Sequence, residues 1–376
     1  MAFTVRTNSP FRADIVGSFL RPDILKNARK LHSQGLLDDA GLKKVEDECI
    51  TDLIKKQVAH GLKVITDGEF RRSWWHLDFM WGLGGVQKIA AESGHNFVGI
   101  QTRAEAGVIV GKLSGDNHPF VEHFKFVKQF ESLADGLVAR ITIPAPAQTL
   151  LNFIMIPKTA ATTTWKDFYA SEDDLIDGIA AAYHTVINDL YAAGCRSLQF
   201  DDTTWPVLCD EKLISSRGWD VDHLASIYLK ANNKALEAKP KDMVITTHTC
   251  RGNFRSHYLS TGSYDRVAGV FFAHENVDAF YLEYDDERSG TFEALQLIPK
   301  NKQVVLGVIT SKRPELEDEA FLEQRIAKAA EYFPLDNLCL SPQCGFASTE
   351  EGNSLTEDEQ WAKVDLVVRT AKKIWG

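Results

Sequence analysis

The feature that most constrains the fold is a regular alternation of short apolar runs with amphipathic segments. Each run is rich in β-branched residues and ends in polar or glycine-bearing residues, which is typical of a buried parallel strand. Strands that alternate with helices form parallel sheets, and eight such units predict a TIM (β/α)8 barrel. The eight runs lie at 14–18, 63–69, 140–146, 198–202, 243–250, 280–285, 303–310 and 339–344.

The remaining segments fit this interpretation. Apolar residues recur at three- and four-residue spacing, with capping Asp or Ser near several starts, and predict helices at 36–60, 171–194, 221–237, 316–332 and 355–374. Another strand-like run at 106–115 lacks a clear preceding helix, so we assign it to an inserted β-hairpin near 100–125. Because no linker or compositional break interrupts the chain, we expect residues 1–376 to form a single domain.

Composition and charge exclude several classes of protein. Hydrophobic residues make up 44% of the chain and charged residues 25%, as in ordinary globular proteins. A net charge of −10 without a basic block argues against nucleic acid or anionic membrane as the main partner and favours a small-molecule substrate. The start lacks a secretory profile and no run is long enough to span a bilayer, so we expect a cytoplasmic protein. A homo-oligomer is compatible with this composition.

Polar side chains collect where the predicted strands end. Active sites of TIM barrels lie at the carboxyl ends of the strands, so these side chains should converge on one mouth. Six cysteines scattered along a chain in a reducing compartment indicate thiols, metal ligands or core packing rather than a disulfide framework. The residues at the strand ends are Ser18, Asp67, Glu69, Asp201, Asp202, His248, Cys250, Glu283, Asp285 and Cys344.

Four of these residues make a candidate metal site. His248, Cys250, Glu283 and Cys344 provide the nitrogen, sulfur and oxygen donors that Zn²⁺ prefers, and residues 248 and 250 point to the same side of a strand. Two thiolates favour zinc over magnesium or calcium. The His-x-Cys pair alone is equally compatible with a cysteine packed beside a satisfied histidine, and a four-ligand zinc site can be purely structural. A zinc-bound substrate thiol would be held as a thiolate, which implies S-alkylation.

Other strand ends suggest an amino-acid substrate. Glu69 and Asp201 can bind an ammonium group, while Ser18 and the backbone beginning at Val16 can hold a carboxylate. The alternative is that the two acids form structural ion pairs, for which the arginines at 71 and 72 are obvious partners. Three tryptophans lie within 71–82, where packing is the simplest interpretation, and Trp205 is a candidate for stacking on a flat ring.

The sequence resembles the catalytic half of cobalamin-independent methionine synthase, and more closely its short YxjG/YxjH-type homologues. The resemblance rests on His248-x-Cys250, Glu283 and Cys344, on "VGS" at 16–18, on "DGE" at 67–69, and on "FDDT" with Asp201 as the matching acid. It implies a zinc-bound homocysteine thiolate that takes a methyl group from 5-methyltetrahydrofolate. The four metal-ligand positions would hold the zinc, and the three motifs would hold homocysteine.

The resemblance weakens on the methyl-donor side. Where the family has a proton-shuttling histidine in "GVYDIHSP", this chain has "GVITSKRP" with Lys312. Lysine is a poor proton shuttle at neutral pH unless its pKa is lowered. The acidic and tryptophan positions that hold the pterin in the long enzymes have no secure counterpart here, and Trp205 is only a candidate. The amino-terminal half of the long enzymes has no counterpart.

We therefore expect a zinc-dependent S-methyltransferase that makes methionine from L-homocysteine and a methyl-folate. Lys312 and Asp201 are its expected catalytic residues, and Val16, Ser18, Glu69, Asp201 and Trp205 its expected substrate-binding residues. One alternative is a zinc-dependent alkyltransferase with another donor, such as methylcobalamin or an epoxide, or another thiol acceptor. A non-catalytic zinc-storage protein would show gaps among these residues, and the sequence has none.

Overall fold

The computed structural model describes residues 3–156 and 162–376. Its α-helices are α1 (Asp23–Ser33), α2 (Asp39–Ala59), α3 (Leu77–Gly82), α4 (Pro119–Lys128), α5 (Pro146–Met155), α6 (Glu172–Ala192), α7 (Thr204–Val207), α8 (Glu211–Arg217), α9 (Val221–Leu236), α10 (Asp265–Ala268), α11 (Phe271–His274), α12 (Glu319–Ala330) and α13 (Glu357–Trp375). Its strands are β1 (Val64–Ile65), β2 (Gly84–Ala90), β3 (Asn96–Phe97), β4 (Ile100–Gln101), β5 (Glu105–Ser114), β6 (Val138–Pro144), β7 (Ser197–Asp202), β8 (Val244–Thr249), β9 (Ala279–Glu283), β10 (Gln303–Ile309) and β11 (Leu338–Pro342).

The five predicted helices are confirmed as α2, α6, α9, α12 and α13. Side chains of the predicted kind cap their first turns: Asp38 accepts from the Gly41 amide in α2, and Thr356 forms a capping box with Glu359 in α13. The sequence pattern missed α4 and α5, which are each 10 residues long and begin with a proline. None of the helices among the described residues is long and apolar enough to cross a membrane.

Seven strands form one parallel sheet in the order β1-β6-β7-β8-β9-β10-β11, so the fold is an α/β fold of the TIM-barrel type. Seven of the eight predicted strands are therefore confirmed. The eighth, 14–18, is not a ladder strand, although isolated parallel bridges join Ala13 to Leu340 and Ser18 to Gly68 at its two ends. Between the bridges the carbonyls accept from side chains instead of a neighbouring strand. The donors are Arg140 to Ile15, Gln199 to Val16 and Thr66 to Gly17.

An antiparallel hairpin is inserted, but its position corrects the prediction of 100–125. β5 pairs with β2, so the hairpin begins at Gly84, and residues 119–128 form the helix α4. β2 was missed because it is mostly exposed and contains two adjacent glycines, which gives it little of the apolar alternation of a buried strand. A second small hairpin, β3 with β4, lies inside the insertion.

Side chains alternate between two cores along the parallel strands. In β9, Phe280 and Leu282 join the large core between sheet and helices, whereas Tyr281 packs with Val305 and Cys339 in a separate cluster. Beside Tyr281, Arg140 pairs with Asp14, and neither side chain is exposed to solvent. Glu283 lies two residues after Tyr281 and therefore points to the same face of the sheet. Asp201 and Glu283 both lie at the carboxyl ends of their strands.

Candidate metal and substrate site

Three buried side chains at the carboxyl end of the sheet form a group that could bind a metal ion. His248 lies near the end of β8, Cys250 follows that strand directly, and Cys344 follows β11. One donor atom from each lies within 4.8 Å of the other two. The three residues are only 3%, 6% and 3% exposed.

Asp201 orients the imidazole of His248. The two residues are opposite each other in the parallel register of β7 and β8, and Asp201 Oδ1 lies 2.9 Å from His248 Nδ1. Nε2 points toward the loop of Cys344, where it lies 3.2 Å from the Gln343 carbonyl. A carboxylate on one ring nitrogen leaves the other for a metal, which is the common arrangement around metal-bound histidines. Burial opposes charge on His248, but the hydrogen bonds to Asp201 and Cys344 raise its pKa to about 10.

The pKa values of the two thiols shift in opposite directions. A hydrogen bond from Cys250 lowers the pKa of Cys344 well below its usual value against the effect of burial, and His248 and Lys312 add to this effect. The same hydrogen bond and burial raise the pKa of Cys250. Deprotonation is therefore easier at Cys344 than at Cys250. A metal cation can replace the protons of the thiols, and one nitrogen with two sulfurs suits zinc.

Glu283 lies beside the triad rather than within it. Its Oε2 accepts from the Arg251 amide at 2.7 Å, while Oε1 is buried without a hydrogen-bond partner. The nearest cations to Oε1 are Arg288 Nη2 at 3.5 Å and Lys312 Nζ at 3.9 Å. An unpartnered carboxylate oxygen next to three donors fits a fourth metal ligand, and that role stays a prediction.

Lys312 is a buried cation at the same end of the sheet. Its Nζ has no hydrogen-bond partner, and its residue is 6% exposed. Burial alone would lower the pKa of Lys312, but the charges of Glu283, Asp285 and the two cysteines outweigh it, so the pKa is raised. This environment favours the protonated lysine, whereas a proton shuttle at neutral pH works best with a pKa near 7.

Glu69 presents a second unpartnered carboxylate oxygen. Its backbone has φ +61°, a left-handed conformation that non-glycine residues seldom adopt and that clusters at functional sites. Thr142 donates to Oε1 at 2.8 Å and Arg72 lies 3.3 Å from the same atom, while Oε2 is buried and free. Burial, with the Asp201 charge, raises the pKa of Glu69 to about 7 against the two nearby arginines. The ion pair expected as an alternative therefore exists, but it uses only one of the two oxygens.

One cavity of about 750 Å³ joins these groups. Seven of the ten predicted site residues line it, namely Val16, Ser18, Glu69, Asp201, His248, Cys250 and Cys344. Glu283 and Lys312 lie behind this lining. Trp205 does not reach the cavity, because its ring stacks on Phe271 in the core and its indole N–H donates to Glu275. Trp205, which was predicted to stack on a substrate, is therefore packed in the hydrophobic core.

The other wall of the cavity was not predicted. It comes from the loop before α3 and from the insertion, with Trp74, Trp75, His76, His95, Asn96, Phe97 and Thr102. The insertion rests on the loop after Cys250: the Val98 amide donates to the Tyr258 carbonyl at 3.0 Å, and Phe97 contacts Phe254. Gly252 has φ +90° and a Cβ there would lie 2.9 Å from Phe97. The "WWH" motif was the only sequence signal for this wall.

Comparisons with known proteins agree with this architecture. The family model for the cobalamin-independent synthase catalytic domain matches residues 11–373. YxjH of Bacillus subtilis, whose function is uncharacterized, is 42% identical over 98% of this chain and 95% of its own. Methionine synthase of Saccharolobus solfataricus is 24% identical over 88% of this chain and 86% of its own. A Listeria monocytogenes structure, provisionally described as a vitamin-B12-independent methionine synthase, superposes with a TM-score of 0.77 at 38% identity, covering 98% of both chains. The chain belongs to the family of the cobalamin-independent methionine synthase catalytic domain.

Proposed function

We propose that this protein is a zinc-dependent S-methyltransferase that converts L-homocysteine to methionine with a methyl group from 5-methyltetrahydrofolate or its polyglutamate. The observation that carries the proposal is that a buried His/Cys/Cys group and the free carboxylate oxygen of Glu69 line one cavity. We assign the activity to a single domain, residues 1–376. Within it the segment 14–18 would act as the eighth barrel strand, which its two end bridges support.

His248, Cys250 and Cys344 would hold the zinc, with Glu283 as the fourth ligand through its unpartnered Oε1. Bound zinc would stabilise a substrate thiol as its thiolate near neutral pH. The chain supports this set of ligands through Asp201, which fixes the ring of His248. We further propose a cytoplasmic location, because the two cysteines must stay reduced to act as ligands.

The amino-acid part of homocysteine would be held by acids and by backbone. Glu69 Oε2 and the carboxylate of Asp201 would bind the ammonium group, in a buried setting where charge-assisted hydrogen bonds are strong. Ser18 and the backbone from Val16 would bind the carboxylate. Gly345 leaves room for Ser18, because a Cβ at position 345 would lie 1.9 Å from Ser18 Oγ.

Lys312 would act through its charge. A thiolate substrate beside two cysteine thiolates and Glu283 concentrates negative charge, and a buried ammonium 3.9 Å from Glu283 offsets part of it. This is an electrostatic role in the reaction and not a proton transfer. The presence of Lys312 in place of the family's histidine also favours a second candidate function, which is an alkyltransferase with another donor or another thiol.

The test begins with the purified protein, which should contain about one zinc per chain. Methylation of homocysteine is then measured with mono- and polyglutamyl methyl-folate and with methylcobalamin. Calorimetric binding of L-homocysteine is compared with 4-mercaptobutyrate, which lacks only the amine. Turnover with methylcobalamin alone would favour the second candidate, and equal binding of the two thiols would refute the amino-acid pocket.

A further inference from the structure

A histidine that none of the assigned roles uses lies in the wall of the same cavity. His76 is 5% exposed, lines the cavity, and its Nδ1 is buried without a hydrogen-bond partner. Its ring packs against Trp75 at 4.5 Å and Trp74 at 5.9 Å between centroids. A buried ring nitrogen without a partner is costly, so it indicates a group that meets a ligand.

A backbone hydrogen bond joins the segment of His76 to the loop of Cys344. The Trp75 amide donates to the Ser348 carbonyl at 2.9 Å, and Ser348 Oγ lies 3.7 Å from Cys344 Sγ. His76 follows Trp75 directly in the chain. The imidazole is therefore attached, through one residue and one backbone hydrogen bond, to the loop that carries a candidate metal ligand.

The proposed reaction needs a group that carries one proton. The acceptor thiol loses a proton before its sulfur attacks the methyl carbon, and the nitrogen of a methylated amine donor must gain one as its C–N bond breaks. Lys312 is not part of the cavity lining, and its Nζ lies 3.9 Å from Glu283. His248 is engaged by Asp201 at Nδ1 and directed toward the metal site at Nε2. Among the described residues of the lining, His76 and His95 are the imidazoles that are left, and His95 is exposed on the insertion.

We propose, on the basis of the proposed function, that His76 is the proton carrier of the methyl transfer. Its imidazole takes the proton of the acceptor thiol and later gives it to the donor nitrogen. The S–C bond forms as the C–N bond breaks, the C–N electron pair stays on nitrogen, and nitrogen takes the proton from the imidazolium. The ring is neutral again after each turnover, so no further reactant is consumed.

The surroundings of His76 keep the resting ring ready to accept a proton. Burial lowers its pKa well below the ordinary value, and the nearby ring of His95 adds to this effect. Of the acids behind Trp74, Asp78 accepts the Trp74 amide and Glu105 accepts the indole N–H. Lys88 and Arg103 neutralise Glu105. The thiolate that remains after proton transfer is a negative charge in the same cavity, which would raise the pKa of the ring again, so the proton stays on His76 until the donor nitrogen takes it.

The proton count on homocysteine binding tests the assignment. Calorimetry at one pH in buffers of different ionisation enthalpy measures the protons released to buffer. The wild-type protein should release almost no protons per homocysteine bound, because His76 keeps the thiol proton. The His76→Gln variant should release about one proton more than the wild type. The same change at His123, a partly buried imidazole outside the cavity lining whose Nδ1 also lacks a hydrogen-bond partner, is the matched control and should keep the wild-type count. General acid–base catalysis contributes about 10²–10⁴-fold, so methylation by His76→Gln should fall by that factor with zinc content unchanged.

The outcomes separate the two proposals. A wild-type protein without zinc or homocysteine binding refutes the proposed function. A wild type that binds and methylates homocysteine but already releases one full proton refutes His76 alone, whether or not any variant folds. Equal counts in wild type and His76→Gln, or a changed count only in His123→Gln, refute it as well. His76→Asn, which keeps a polar atom near the position of Nδ1, should behave as His76→Gln if the lost imidazole is the cause.

Discussion

Buried charged groups are fully hydrogen-bonded at the amino end of the parallel sheet, whereas several at its carboxyl end keep an atom without a partner. At the amino end, Arg140 lies 2.9 Å from Asp14 and also donates to the hydroxyl of Tyr281 at 2.7 Å and the carbonyl of Ile15 at 2.8 Å. At the carboxyl end, Glu69, Glu283 and Lys312 each keep a buried atom with no hydrogen-bond partner.

The difference separates groups that stabilise the fold from groups that await a ligand. A fully paired network such as that of Arg140 rigidifies a core, and removal of one member leaves a buried charge uncompensated. Unpaired buried atoms destabilise a protein, and they are expected where a metal or substrate supplies the missing partner. The cavity lies at the unpaired end.

Removal of the thiols should give the largest effect. Apparent zinc-binding free energies of four-ligand sites are about 10–16 kcal/mol, so Cys250→Ala/Cys344→Ala should lose about 5 kcal/mol or more of metal affinity and all homocysteine methylation. Zinc per chain, measured by atomic spectroscopy after dialysis, checks this. The buried cysteines Cys49 and Cys195 provide a control, since their replacement by alanine should leave zinc bound. Full zinc in the double variant would contradict the metal site.

Disruption of the Arg140–Asp14 pair at the amino end of the sheet should give the second largest effect. Arg140→Met should lower the free energy of unfolding by about 3–5 kcal/mol because Asp14 is left buried and charged. Urea unfolding measures the loss, and the folded fraction should still bind zinc. Arg196→Met removes a more exposed pair with Asp242 and should cost about 1 kcal/mol or less. An equal cost at both positions would show that the amino-end network has no special structural role.

Glu69→Gln should weaken substrate binding. Hydrogen bonds to charged groups contribute about 1.5–3 kcal/mol, which predicts a loss of homocysteine affinity of roughly 10- to 100-fold. The free energy of unfolding should also fall, because Arg72 loses the charge of its buried partner. Glu46→Gln, which removes a carboxylate paired with Arg29 and Arg71, should leave the affinity unchanged. Unaltered homocysteine binding by Glu69→Gln would rule out its contact with the ammonium group.

The smallest effect concerns a buried acid that lies outside the cavity lining. Glu275 accepts from Trp205 and Asn232 through Oε2 and leaves Oε1 unpaired, and burial, with the Asp202 charge, raises its pKa to about 8. Its folded pKa exceeds the unfolded value near 4.3, so its stabilising contribution is complete below that value and is lost as pH rises toward 8.

Glu275→Gln should therefore gain stability relative to wild type as pH rises, by about 1 kcal/mol between pH 6 and pH 7. Denaturant unfolding at both pH values measures the difference between the two proteins, which cancels the other titrating groups. Zinc and homocysteine binding should not change. A pH-independent difference would mean that Glu275 is ionised in the fold, and a loss of substrate binding would extend the ligand-binding region to this acid.

The sequence by itself determined most of the repeating architecture and three donors of the metal group. Period-two apolar runs and capped amphipathic helices are local signals, and parallel strands bring their carboxyl ends together whatever their spacing in the chain. His248, Cys250 and Cys344 could therefore be grouped although 94 residues separate the last two by their numbers.

Only the tertiary structure decided how side chains are oriented and which distant segments meet. In the predicted first strand, hydrogen bonds from side chains to the carbonyls of residues 15–17 replace the backbone pairing of a strand. Trp205 packs in the core and does not reach the cavity. Glu283 turns one oxygen to a backbone amide, and the insertion brings its wall over the loop after Cys250. These outcomes depend on contacts between residues far apart in the chain, where packing and hydrogen bonding outweigh local preference.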